Sequence, residues 1–180
     1  MGLVDRLQQE FPLDVEWLGF EIHPETPAAG LPLTTMFPQI DPEAMTRRLN
    51  EMAAPFGLAF RKIVHIANSR LALEASAFAK DHGRFTVFHR QLFETYFTKG
   101  CDIGDSNVLM QIARDAGLDA TALQQDLDAG TYRSKLEQAR REAGRLQVTA
   151  APTFLFNNKE RIIGAQPIDV FRKRLKTMQG

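Results

Sequence analysis

With 180 residues and a mass of 20.3 kDa, the chain is sized for one domain, or one domain carrying a large insertion. It is 44% hydrophobic with 13 phenylalanines, enough to bury a sizeable core without staples. Its 22 basic and 22 acidic residues cancel, which argues against a nucleic-acid binder living on bulk electrostatics, and its single cysteine, Cys101, excludes an intramolecular disulfide and any multi-cysteine zinc site.

The charge is uneven along the chain: residues 1–60 hold 3 basic and 9 acidic side chains, and residues 161–180 hold 5 and 1. A pair of solvated faces accounts for that more simply than a self-complementary contact. No apolar run approaches the roughly 18 residues of a membrane span, and the N-terminus lacks a basic-then-apolar signal pattern. A cytoplasmic globular protein without a membrane or nucleic-acid partner is therefore expected.

The first residues already carry a helical stripe. Leu3, Val4, Leu7 and Phe11 fall on one face that ends before Pro12, with no capping segment ahead of it. Val15–Ile22 (VEWLGFEI) predicts a strand with apolar side chains on both faces, as in an interior strand of an α/β sheet. Five of the nine prolines then crowd positions 24–42, predicting an extended connection without a ladder.

From Asp41 to Leu146 the periodicity is helical almost throughout. Asp41-Pro42-Glu43 is a start signal, followed by the stripe Met45, Leu49, Met52 and a stop at Pro55-Phe56-Gly57. Asn68 or Ser69 can cap a second helix with Leu71, Ala75, Phe78 and Ala79 inward. A third carries Phe88, Leu92 and Tyr96, with Phe85, Phe93 and Phe97 beside them as core packing, and stops at Gly100. Asp105 opens a fourth that ends at Gly117, Asp119 a fifth that ends at Gly130, and a sixth has Tyr132, Leu136, Ala139 and Ala143 inward.

The C-terminus returns to β structure. Thr153–Phe156 reads as a short strand, Asn157-Asn158 as a tight turn tolerating positive φ, and Arg161-Ile162-Ile163 as the returning strand. Gln166-Pro167 then starts a helix with Ile168, Phe171, Leu175 and Met178 inward, leaving Arg172, Lys173, Arg174 and Lys176 as its solvated face.

Pro152 precedes that last hairpin. Together with WLGFEIHPETP (17–27), Asn68-Ser69-Arg70, YFTKGCDIGD (96–105), AAPTFLFNN (150–158) and Gly164-Ala165-Gln166-Pro167, it gives a combination over Leu3–Leu175 that resembles the DsbA-like thioredoxin superfamily, in its FrnE-type branch. The resemblance implies an α/β fold: a thioredoxin-like domain (1–40 and 147–180) interrupted by a helical insertion (41–146). It also implies a cis bond at Pro152 and protein thiol–disulfide exchange. An extended polypeptide, or a small thiol or disulfide, would dock at Thr149, Ala150, Ala151 and Pro152.

The chain departs from the family at one point. The central strand and Cys-x-x-Cys that family members carry ahead of the first helix do not occur in it, and exchange needs a low-pKa thiolate plus a resolving thiol. The preferred reading is a chain that starts after that motif; the alternative is a degenerate, redox-inactive relative. The missing strand would lie between 15–22 and 153–156, so two open edges are expected to drive a homodimer or a shifted strand.

Cys101, after Gly100 in a polar loop, is read as an incidental exposed residue, with glutathionylation or intermolecular pairing as its functional alternative. His23, His65, His82 and His89 show no metal spacing, and no cofactor is expected. Two other readings stay open. One is a glutathione-dependent isomerase or transferase of the 2-hydroxychromene-2-carboxylate isomerase or kappa type, whose last helix is usually entered through Trp-Gly-Gln-Asp where this chain has Gly-Ala-Gln-Pro. The other is a non-enzymatic binding protein on a decayed thioredoxin scaffold.

Overall fold

The computed structural model describes residues 2–179. Helix α1 (Gly2–Glu10) is the expected opening helix, with Val4, Leu7 and the following Phe11 buried. Residues 12–30 hold neither helix nor strand, so the expected strand over 15–22 is absent. A strand exists only through its ladder, and no described segment pairs with this one; alternating apolar side chains do not suffice. Leu18 and Ile22 are accordingly 49% and 41% exposed.

The proline-rich stretch is more ordered than expected. It contains β1 (Leu31–Pro32) and the one-turn helix α2 (Leu33–Met36), and α3 (Pro42–Ala53) opens where the Asp41 signal placed it, the Asp41 carboxylate accepting from the Glu43 N–H at 2.8 Å. A 3₁₀ turn (Ala54–Phe56) ends α3, and β2 (His65–Ile66) pairs antiparallel with β1, Leu31 opposite Ile66. Met45 and Leu49 on the α3 stripe are only half-buried and Met52 is exposed.

The helical block follows its caps closely. Helices α4 (Arg70–Asp81) and α5 (Phe85–Phe93) are followed by one π-helical turn (Glu94–Thr98), then α6 (Ser106–Asp115), α7 (Ala120–Ala129) and α8 (Arg133–Arg145). Asp105 and Asp119 cap α6 and α7 by accepting backbone N–H groups, and Gly130 ends α7 in the left-handed conformation. Phe78, Phe88, Leu109, Leu123 and Tyr132 form the centre of this core. Phe93 departs from the expectation of core packing: it is 45% exposed, because α5 turns its Phe88–Leu92 face inward.

The chain closes with β3 (Thr153–Phe156), β4 (Glu160–Ile163) and α9 (Ile168–Gln179). β3 and β4 pair antiparallel from Thr153–Ile163 to Phe156–Glu160, across a turn with Asn157 and Asn158 at φ 49° and 56°. Two consecutive left-handed residues match the right-handed twist of a hairpin, which is why asparagines stand there.

These elements form two compact units. One joins residues 1–18 to 139–180; the other comprises residues 19–138. The two units divide at 18/19 and 138/139. Residues 19–40 join the helical unit through the β1–β2 pair and through Asn68, whose Nδ2 donates to the Thr26 carbonyl at 2.6 Å. In the first unit, Leu7, Phe11, Ile162, Phe171 and Leu175 make a separate core against Phe154 and Phe156.

Candidate functional site

The loop of interest starts at the end of α8. There the Val148 N–H donates to the Ala143 carbonyl at 2.8 Å and the Gln147 N–H to the Gly144 carbonyl at 3.0 Å, with Gln147 at φ 52°. This pair of bonds is a Schellman ending, reached here without glycine. It turns the chain sharply toward the hairpin, and Arg161 on β4 donates to the Gln147 carbonyl at 3.3 Å.

The four residues singled out in the sequence lie together in the next stretch. Thr149, Ala151 and Pro152 are exposed and Ala150 is half-buried; the Ala151–Pro152 peptide bond is cis. The loop is braced at two points. The Thr153 hydroxyl donates to the Ala150 carbonyl at 2.7 Å, and the Gly164 N–H to the Pro152 carbonyl at 2.8 Å. Thr153 as a brace was passed over in the sequence, although its partner is a backbone carbonyl only three residues earlier.

That second bond fixes which way the β3 backbone faces. In an antiparallel pair, hydrogen-bonded and non-hydrogen-bonded residue pairs alternate. With Pro152 opposite Gly164 in a hydrogen-bonded position, Phe154 and Phe156 bond to Ile162 and Glu160 on β4. The N–H and C=O groups of Thr153 and Leu155 therefore point to the other edge of β3, where no strand pairs among the described residues. On the faces of the hairpin, Phe154 lies edge-on to Phe171 at 4.8 Å, while Ile163 on the opposite face is 49% exposed. An extended chain meeting this edge would find backbone partners and apolar side chains with little charge.

Arg172 on α9 does not behave as a solvated residue. Its guanidinium grips Glu10 at 2.6 and 2.7 Å and Asp169 at 2.8 Å, and the Arg172 hydrogen bond holds the Glu10 carboxyl below its ordinary range. The bidentate contact ties α9 to α1.

Cys101 is in the other unit and exposed, its N–H donating to the Thr95 carbonyl at 3.0 Å at the end of the π turn. Arg61 donates to the Lys99 carbonyl at 3.0 Å and lies against Gly100, so an arginine borders this loop although no His or Arg neighbours Cys101 in sequence. Asn68 does the capping expected of Asn68 or Ser69, its Oδ1 accepting from the Arg70 N–H at 3.0 Å, while Arg70 pairs with Glu21. Here the pair anchors the Thr26 loop to α4, which favours a structural role over anion binding.

No cluster of three or more His, Cys, Asp or Glu side chains placed to hold a metal ion occurs among the described residues. His23 contacts Glu25 at 3.0 Å and Phe37 edge-on; His82 stacks on Phe78 at 4.0 Å. Burial between Phe85 and Phe93 pushes His89 down to about 4, so it is neutral at pH 7. Glu74 on α4, which sequence reasoning passed over, is 1% exposed with its Oε2 unpaired, and burial raises its pKa. No helix among the described residues is long and apolar enough to cross a membrane.

Comparison with known proteins bears on the same elements. Residues 3–176 match the DSBA-like thioredoxin domain family. The uncharacterised protein YwbO of Bacillus subtilis is 28% identical over 173 residues, covering 93% of this chain and 83% of YwbO. The crystal structure of a probable DsbA oxidoreductase from Streptomyces coelicolor superposes with a TM-score of 0.88 at 25% identity, over 98% of this chain and 81% of that one.

Proposed function

Because the chain belongs to the DSBA-like thioredoxin domain family and has its thioredoxin-like fold, we propose that it is the polypeptide-docking part of a FrnE-type thiol–disulfide oxidoreductase. The observation that carries the reading is the exposed Ala151–Pro152 loop running directly into an edge whose backbone groups point outward. An extended partner added beside Ala151 and β3 would bind through main-chain hydrogen bonds with little demand on its sequence. The entry to α9 through Gly164-Ala165-Gln166-Pro167 supports the FrnE type over the glutathione-dependent branch.

The 180 residues do not carry the redox step. A dithiol–disulfide exchange needs an attacking thiolate and a resolving thiol, and Cys101 alone stops at a mixed disulfide.

Two measurements test this reading. Dithiothreitol-driven insulin reduction is expected to show no activity above background for the chain or for Cys101→Ala. Activity that vanishes with Cys101→Ala would instead make Cys101 a one-thiol catalyst. Titrating the ¹⁵N-labelled chain with reduced, carboxymethylated insulin B chain should shift the amides of residues 149–155. Shifts confined to other regions would remove the docking reading.

A further inference from the structure

The bend leading into β3 is held by two hydrogen bonds with a single residue between the carbonyls they reach. The Thr153 hydroxyl donates to the Ala150 carbonyl at 2.7 Å, and the Gly164 N–H donates to the Pro152 carbonyl at 2.8 Å. Each bond fixes more than its own acceptor. A peptide unit is planar, so a carbonyl and the N–H of the following residue turn together, and in a trans unit they point in opposite directions. The units joining Ala150 to Ala151 and Pro152 to Thr153 are both trans. Holding the Ala150 carbonyl therefore aims the Ala151 N–H, and holding the Pro152 carbonyl aims the Thr153 N–H.

The side chain is needed because the backbone is committed. The Thr153 N–H faces away from the carbonyl that Gly164 holds, and it makes no bond to Ala150. The Thr153 hydroxyl closes the bend in its place. From Ala150 to Pro152, only exposed Ala151 then keeps both an N–H and a C=O without a partner among the described residues. The Ala150 carbonyl is spent, and proline has no N–H to offer.

We propose that Thr153 is a positioning residue for polypeptide docking, its hydroxyl presetting the Ala151 N–H toward the backbone carbonyl of an extended partner. The inference rests on the docking reading above and adds the side chain that sets its geometry. Without the hydroxyl the Ala150–Ala151 plane is free to turn, and a partner has to freeze it on binding. With the hydroxyl that ordering is complete before the partner arrives, which is how preorganisation strengthens binding.

The test titrates ¹⁵N-labelled wild type, Thr153→Val and Thr153→Ser with reduced, carboxymethylated insulin B chain. Valine keeps the β-branched shape and removes the hydroxyl; serine keeps the hydroxyl. Loss of one hydrogen bond's worth of ordering should raise the Kd of Thr153→Val about threefold to tenfold, with Thr153→Ser close to wild type. In the free Thr153→Val chain the Ala151 amide resonance should move while those of Phe154 and Ile162 hold, which separates a turned peptide plane from a damaged hairpin. Should valine disturb Phe154 and Ile162, Thr153→Ala against Thr153→Ser decides in its place. Equal affinity of the hydroxyl-free variant and wild type overturns the proposal, and so does a serine variant as weak as the valine one. Either of those results leaves docking itself standing. A wild-type chain that gives no shifts at 149–155 removes the docking reading and this inference with it.

Discussion

Glu74→Met should stabilise the protein. The side chain is 1% exposed on the second turn of α4, and its Oε2 has no hydrogen-bond partner. Burial is the main cause of its raised pKa; Arg133 and then Arg70 pull it back, and Glu21 adds to the rise. Methionine keeps the length of the side chain and a similar helix propensity while removing the buried acceptor. Leaving a buried polar group unpaired costs about 1–3 kcal/mol, so relief of that cost should be of this size. For a chain of this length that corresponds to a melting midpoint higher by about 2–12 °C.

The pH dependence has a definite sign. A carboxyl whose folded pKa lies above its unfolded value binds more protons folded than unfolded between the two. Its contribution is most favourable below the ordinary glutamate value of 4.5 and declines as pH rises from there through the raised folded pKa. The advantage of Glu74→Met should therefore grow across that window and level off above it, with Glu74→Gln in between. Urea unfolding followed by circular dichroism, run at acid and neutral pH, reads both effects. A methionine variant less stable than wild type by about 1 kcal/mol or more at neutral pH would refute the reasoning, since it would mean that the carboxylate is satisfied.

Two further changes test local features. Gly30 has φ +67°, and a Cβ built there would collide with His65 Nε2 and the Ile66 carbonyl, so Gly30→Ala should destabilise by more than about 1 kcal/mol and loosen the β1–β2 pair; unchanged amide exchange at Leu31 and Ile66 would contradict it. Phe171 is fully buried against Phe154 in the first unit, so Phe171→Ala should cost about 3–5 kcal/mol in chemical denaturation. A loss below 1 kcal/mol would show that this small core contributes little.

Sequence by itself determined the helices other than the one-turn α2, the aspartate caps and the last hairpin. Asp41, Asp105 and Asp119 act where they were expected because a cap is a contact between residues two or three apart. Asn157-Asn158 makes its turn for the same local reason, and the candidate loop was legible as the stretch ahead of that hairpin. Strands and side-chain partners at long range were decided only by the tertiary structure. Residues 15–22 have a strand pattern but no ladder, while Leu31–Pro32, unremarkable in sequence, gain one from His65–Ile66. Arg172 looked like a surface charge until α1 brought Glu10 to it from 162 positions away. Glu74 gave no signal at all, because burial of one carboxylate depends on every neighbour packed around it. Backbone torsion and capping are properties of a few adjacent residues; pairing, burial and an open sheet edge belong to whatever the rest of the chain brings alongside.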